Sequence, residues 1–396
     1  MRSSPIAGAP TAAAIGPEHL VRLIRTRAAT SRGALARLTG LSRSTVSQRV
    51  DALLEAGYIR ERPGRDSSGG RPPATLEFDG SNNLALCAAI ERSMVVVGLV
   101  DFAGVVVERQ AHPIAVEEGP DAVLGVVTSG LRSIMAEGAP DPGSIRGIGV
   151  AVPAPVEPST GRPIEPTVMP GWHNCPIRER LEESFAFPIY VDNDANVMAL
   201  AEYGLRESSV ESLVYVRASD GIGAGLILGG RLFRGTVGAA GALGHTAVDS
   251  SSALCTCGNV GCVATIAGGA AVASRLRASG QDVATAADVV SLVRSGHQEA
   301  LQGVRAAGRE LGRVLAGVVN LLDPGMVTLG GEFADIQDFL AGVREEVYRR
   351  ALPLAGGHLE IVRASLGEDA TLKGAACLVA DELLSPRPVL STLPGS

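Results

Sequence analysis

Four metal-binding side chains crowd into eighteen residues of this 396-residue chain: His245, Cys255, Cys257 and Cys262, spaced His-x9-Cys-x-Cys-x4-Cys. Three thiolates and one imidazole make the full ligand set of a closed tetrahedral zinc site. A fold that uses them must turn this loop back on itself until four donors meet. Gly258 and Gly261 allow such turns, because glycine accepts positive φ without steric cost. The alternative is a chance cluster of thiols. Only Cys87, Cys175 and Cys377 lie elsewhere, so the clustering favours a metal. A filled set with no open position points to a structural Zn2+ and not a catalytic one.

The chain is 46% hydrophobic but only 3% aromatic, so Leu, Val and Ala must fill its cores, and its length allows more than one domain. No run of eighteen apolar residues occurs, and the first residues lack the apolar stretch of a signal peptide. A cytoplasmic protein with reduced thiols and no membrane partner is expected, which again favours metal over disulfides. Net charge is −7, but residues 1–80 carry twelve arginines against seven carboxylates. That segment is +5 and the remainder −12, so a polyanion should meet the first eighty residues.

Those residues divide into a leader at 1–16, expected to be disordered, and a DNA-binding domain at 17–80. Pro17 to Arg27 reads as a helix with Leu20, Ile24 and Leu23 inward. From Thr30 to Gly57 the pattern is helix, turn, helix: Ser31 caps the first, Gly40 ends it in the left-handed conformation, and Ser42 caps the second. Leu35, Leu38, Leu41, Val46, Val50 and Leu53 recur every three or four residues and are expected to pack the helices together. Arg43, Ser44, Thr45, Ser47, Gln48 and Arg49 are left near the start of the second helix, as a recognition helix in the major groove requires. Residues 58–62 and 74–78 read as a hairpin wing. Gly70-Arg71-Pro72 at its tip can lay Arg71 into a narrow minor groove. An ordinary helical domain with a solvated polar face is the competing reading; pattern, wing and local charge together favour double-stranded DNA.

From Asn83 onward, short apolar strands alternate with helical stretches, as at 94–100, 147–152, 189–191 and 213–216, which is an α/β pattern. Glycine-rich turns at 220–225 and 329–332 are either phosphate cradles or plain tight turns.

Five pieces of sequence carry a resemblance to the ROK family of sugar kinases and sugar-responsive repressors. They are Pro170-Gly171-Trp172, Val191-Asp192-Asn193-Asp194-Ala195-Asn196, Gly221-Ile222-Gly223-Ala224-Gly225, Gly241-x-x-Gly244-His245 and Cys255-x-Cys257-Gly258-x-x-Gly261-Cys262. With the first eighty residues, the chain resembles the subgroup that adds a winged helix-turn-helix. The resemblance implies a multidomain protein: an N-terminal winged helix-turn-helix plus an α/β, actin-like (ribonuclease H-like), two-lobed sugar-kinase fold over 81–396. Lobe one would span about 81–195 plus a C-terminal helix at about 368–385, and lobe two about 196–367 with the zinc loop at 245–262. A sugar cleft would lie between them. It further implies that Asp194 corresponds to the general base of the kinases, that Asn193 hydrogen-bonds the sugar, and that His245 serves both ligand and metal.

Departures from the kinase pattern indicate lost catalysis. The family kinases place Asp-x-Gly-Gly-Thr on the first strand, where this chain has Ala89-Ile90-Glu91-Arg92-Ser93. Bulky charged side chains there keep backbone amides from a triphosphate, and Glu91 adds repulsion. Asp220 and Glu332 add negative charge at the later turns. The glutamates of the family's Gly-Glu-x-Gly-His and Gly-Cys-x-Glu are Ala242 and Ala264, and Pro153-Ala154-Pro155 replaces Pro-Gly-Pro. Each lost charge-assisted hydrogen bond is worth roughly 1.5–3 kcal/mol, so an ordinary hexose is disfavoured. The reading that follows is a non-enzymatic transcriptional regulator, in the repressor sense, of sugar or carbon metabolism, binding an operator as a homodimer or homotetramer. Its kinase-like module serves sensing and pairing, with Asp194 vestigial and a sugar or sugar-derived effector. Residues 306–322 and 370–384 are candidate pairing segments. The alternatives are an active ATP-dependent sugar kinase with a DNA reader, and a ligand-independent scaffold.

Overall fold

The structure, a computed structural model, describes residues 16–25, 28–62, 75–138, 142–206 and 210–384. The leader, apart from Gly16, and the wing tip with Arg71 lie outside the described residues. Local caps set the first unit. Helix α1 (Pro17–Arg25) is followed by α2 (Arg32–Thr39), whose N-cap Ser31 accepts from the Ala34 amide and whose C-cap Gly40 takes φ 69°. Ser42 then accepts from the Thr45 amide to start α3 (Arg43–Glu55). Strands β1 (Ile59–Arg62) and β2 (Thr75–Phe78) pair antiparallel behind them. Leu20, Ile24, Leu35, Val46, Val50, Leu53, Ile59 and Leu76 form one core. Leu38 departs from expectation, being 59% exposed. In an eight-residue helix the inward face is set by Leu35 and Thr39, and Leu38 falls off its edge.

Two five-stranded sheets make up the rest, and each has the same plan: a three-strand antiparallel meander whose first strand continues into two parallel strands. The first is ordered β5 (Val106–Pro113), β4 (Met94–Asp101), β3 (Leu84–Ile90), β6 (Ile145–Val152), then the strand Ile189–Asn193. Helix α4 (Pro120–Gly138) covers one face and the C-terminal helix Ala370–Leu384 the other, which is why all seven residues of β3 are buried. A small hairpin, β7 (Val156–Glu157) with β8 (Arg162–Pro163), and α5 (Ile177–Glu182) precede that last strand, which is β9. Helix α6 (Asp194–Leu205) leads from it into the second sheet.

The second sheet is ordered β12 (Arg231–Leu232), β11 (Ile222–Leu228), β10 (Leu213–Ala218), β13 (Met326–Gly330), β14 (Glu360–Arg363). Its helices are α7 (Ala264–Ala267), α8 (Gly269–Ala278), α9 (Ala286–Arg294), α10 (Gln298–Leu322), α11 (Gln337–Arg350) and α12 (Pro353–Gly356). The C-terminal helix is α13. It crosses both α6 and β6 so closely that a Cβ on Gly374 would lie 2.3 Å from the Val197 carbonyl, and one on Gly149 2.2 Å from that of Ala375. As a pairing candidate α13 is therefore corrected: Leu372, Ala375, Ala376, Leu378 and Val379 are buried inside the chain. In α10, by contrast, Leu321 is exposed beside exposed Leu352 and Leu354.

The glycine-rich stretch at 221–225 also differs from a turn. Gly223 and Gly225 lie within β11, and a Cβ on Gly225 would sit 2.4 Å from the Ala195 carbonyl. Its lack of a side chain admits α6 against the strand, which is a packing requirement and not a phosphate cradle.

Arg146, at the start of β6, joins the first unit to the rest. Its guanidinium stacks over Tyr58 at 4.6 Å from the ring centroid, donates to the Ala56 carbonyl at the end of α3 (2.8 Å), and donates to Asn83 Oδ1 (2.6 Å). Asn83 donates in turn to the Gly57 carbonyl at 3.0 Å. The end of α3 is thus held by groups of the first sheet.

Candidate functional site

Helix α3 presents Arg43, Ser44 and Gln48 outward, with Thr45, Ser47 and Arg49 half-buried, while Val46 and Val50 point to the core. The hydroxyls of Ser44 and Thr45 each lie 2.8 Å from Ser42 Oγ and so belong to the cap network. Arg43 and Gln48 have no hydrogen-bond or charge partner among the described residues. The position of α3 is fixed from behind, because Arg32 of α2 pairs with Asp51 of α3 (2.6 Å) and with Glu61 of β1. A two-point tether of this kind orients the helix while leaving its N-terminal half open.

Between the sheets, the β9–α6 junction carries Asp192, Asn193 and Asp194. Asn193 is the N-cap of α6: its Oδ1 accepts from the Ala195 and Asn196 amides, and its Nδ2 donates to the Ala154 carbonyl at 3.1 Å. One amide hydrogen is left for any ligand. Asp192 is buried and fully engaged, accepting from Asn196 Nδ2 at 2.8 Å and pairing with Arg234 at 2.6 Å. Arg234 also reaches Glu382 of α13 at 3.0 Å, so one guanidinium ties the second-sheet loop to the first lobe and the C-terminal helix.

Asp194, placed at the start of α6, pairs with Arg217 of β10 at 3.2 Å. Burial opposes the charge on Arg217, but Asp194, Glu332 and Glu91 together hold its pKa above the ordinary value. Burial raises the pKa of Glu91, and Arg217 offsets part of that rise. An arginine from one lobe therefore sits among carboxylates from both. Asp220 is likewise committed, its Oδ1 accepting from the Ala286 amide at the start of α9 at 2.7 Å. Arg146, Arg217 and Arg234 were not legible as site residues: each stands alone in sequence, and only the folded partners give it meaning.

The glycines of the 241–245 motif serve close packing on β11. A Cβ on Gly241 would lie 2.0 Å from the Ala224 carbonyl, and one on Gly244 2.2 Å from that of Ile222. This seats His245 on a short 3-10 turn (Leu243–His245). The loop then returns through bridges pairing Ala247 with Cys262 and Leu254 with Val260, with Gly258 at φ 90° and Gly261 at φ 81°. His245, Cys255, Cys257 and Cys262 consequently bring their donor atoms within 4.8 Å of one another, a group that could hold a metal ion. Cys255 Sγ lies 3.6 Å from His245 Nδ1, and Cys257 Sγ 3.6 Å from Cys262 Sγ. Bonds of about 2.0–2.3 Å to a tetrahedral zinc place neighbouring donors roughly 3.5–3.8 Å apart, so these two spacings fit that ion. The Asn259 amide lowers the pKa of the Cys257 thiol, whereas burial and the neighbouring thiols push that of Cys262 up to about 12, so the bare cluster does not hold all its thiols as thiolates. Trp172, of the Pro-Gly-Trp motif, is a core residue whose Nε1 donates to the Val116 carbonyl at 3.1 Å.

Two family descriptions match: "ROK family" over residues 92–382 and "Winged helix-turn-helix DNA-binding" over residues 19–60. Among curated relatives, a putative xylose repressor of Caldicellulosiruptor sp. (strain Rt8B.4) is 30% identical over 371 residues, covering 90% of this chain and 92% of that protein. Among solved structures, a ROK family transcriptional regulator described as a homolog of the E. coli MLC protein superposes with TM-score 0.78 at 23% identity, over 93% of this chain and 96% of its own. A ROK family glucokinase from Streptomyces griseus, in complex with glucose and AMPPNP, superposes with TM-score 0.66 at 23% identity, over 75% of this chain and 99% of its own.

Proposed function

The chain belongs to the ROK family, and from that membership we propose a sequence-specific DNA-binding transcriptional regulator, acting as a repressor of sugar-metabolism genes. The observation that carries the reading is the capped, tethered α3, whose Arg43 and Gln48 face outward without partners among the described residues in an Arg-rich first unit. Arg43, Ser44, Thr45, Ser47, Gln48 and Arg49 are the proposed DNA contacts, with Arg71 of the wing tip joining them. One relative matched over nearly its whole length is a putative xylose repressor, which supports a sugar-responsive role.

The chain is not an enzyme. Its curated relatives include a putative xylose repressor and a xylose repressor, and its Asp194 is held by Arg217 where a kinase needs a free base. The module that would bind sugar is proposed to act as a sensor through His245, Asp194 and the remaining amide hydrogen of Asn193. His245, Cys255, Cys257 and Cys262 are the proposed Zn2+ ligands. The ion would supply structural cross-linking of the loop, and the residues themselves set its position. No helix among the described residues is long and apolar enough to cross a membrane, in keeping with a proposed cytoplasmic location. A homodimer or homotetramer is proposed, with the exposed Leu321, Leu352 and Leu354 as its candidate surface.

Selection of bound genomic fragments by the purified chain, followed by gel shifts, tests this. A single preferred operator is expected, and Arg43→Ala is expected to weaken it at least about tenfold, since one good base contact is worth about 1–3 kcal/mol. Titrating sugars, D-xylose included, into the shifted complex then identifies the effector. Failure to enrich any fragment would overturn the reading.

A further inference from the structure

A cavity of about 810 Å³ lies at the junction of the first unit with α6 and α13. Arg25 of α1 and Arg60 and Arg62 of β1 line one wall, with Glu77 of β2 as the one carboxylate; Lys373 and Cys377 of α13 line the other. Glu77 is already taken, pairing with Arg62 at 2.7 Å and Arg60 at 3.5 Å. Arg25 and Lys373, both half-buried, have no hydrogen-bond or salt-bridge partner among the described residues. The lining is thus +3, although residues 81–396 as a whole carry −12. Lys373 is the sole lysine of the chain, a compact ammonium where every other basic side chain is a guanidinium.

Arg25, Lys373 and Cys377 all line this one cavity, Lys373 and Cys377 one helical turn apart on α13, which α1 packs against. Asp381, a further turn along α13, stays outside the lining. With no counter-charge for Arg25 and Lys373 among the described residues, an anion in the cavity would make charge-assisted hydrogen bonds with both. The sugar cleft is a separate place. Asp194 opens α6, whereas the cavity is lined by Ala201, Gly204 and Leu205 at its other end, so roughly 15 Å of helix separates the two.

We propose that this junction is a second ligand site, which holds a small organic phosphate between Arg25 of the DNA-reading unit and Lys373 of the sensor. A ligand held from both walls ties α1 to α13 and so biases how the reading unit sits on the sensor. That coupling rests on the DNA-binding reading; occupancy of the site does not.

The full chain, without DNA, is titrated by calorimetry with glucose 6-phosphate, inorganic phosphate and glucose at matched ionic strength. Saturable binding is expected for glucose 6-phosphate, weaker binding for phosphate, and none at this site for glucose. Lys373→Gln and Arg25→Gln are each expected to weaken glucose 6-phosphate at least tenfold, and Lys373→Arg to retain it. Arg25→Gln reads the site from the opposite wall should Lys373→Gln fail to fold. No saturable binding by either phosphate, or equal binding by both Gln variants, would overturn the site. Operator affinity unchanged at saturating glucose 6-phosphate would overturn the coupling alone.

Discussion

At the scale of single residues, a charged network spans the two lobes. Arg217 pairs with Asp194 and acts on the buried carboxyl of Glu91. Burial raises the pKa of Glu91, so the folded chain takes up a proton there more readily than the unfolded chain does. Stability from this group is therefore present at low pH and lost as pH rises through the folded pKa. Glu91→Gln is expected to stabilise the protein relative to wild type at pH 8, with the gain shrinking toward pH 4.5; urea titrations at both values read it. A gain that is equal at both would contradict the assignment. The identities of Glu91 and Asp194 were legible because they fall in motifs. Arg217 and Arg234 were not, because an arginine near a strand carries no local signal and their partners lie 23 and 42 residues away.

At the scale of elements, local chemistry was the readable part. Ser31, Gly40 and Ser42 bound their helices as their side chains and φ preferences dictate. Packing by spacing alone was less readable: Leu38 has the expected period but lies outside, since α2 offers a single turn to its neighbour. Glycine marks turns, so Gly221–Gly225 has the signature of one, yet Gly225 lies in β11 and answers to α6. Gly225→Val is expected to push α6 from β11 and cost about 1–3 kcal/mol in chemical denaturation, as overpacking does; no change in midpoint would contradict the contact. The four-ligand loop was legible from spacing and glycines, and its donors converge. One zinc per chain is expected by mass spectrometry of metal content. Its removal by a strong chelator, or Cys255→Ser, is expected to lower the Tm, whereas an unaltered Tm after full removal would contradict a structural ion.

At the scale of the whole molecule, three connections make one unit of a DNA reader and a two-lobed module. Arg146 holds the end of α3 against the first sheet, Arg234 holds the second-sheet loop to the first lobe and α13, and Arg217 spans the lobes at Asp194. A ligand that alters lobe closure can then reach α3 through packed groups instead of a free linker, a coupling that requires two arrangements of those groups. The two-lobed plan was legible only through motif resemblance, because strand order and the duplication of the sheet are tertiary facts. Sequence-selective DNA binding by this kinase-like chain is read by fluorescence anisotropy on its selected operator, beside a scrambled duplex of equal length and composition at fixed salt. Operator binding at least about 10³-fold tighter than to the scrambled duplex is expected. Equal affinity for the two would contradict it.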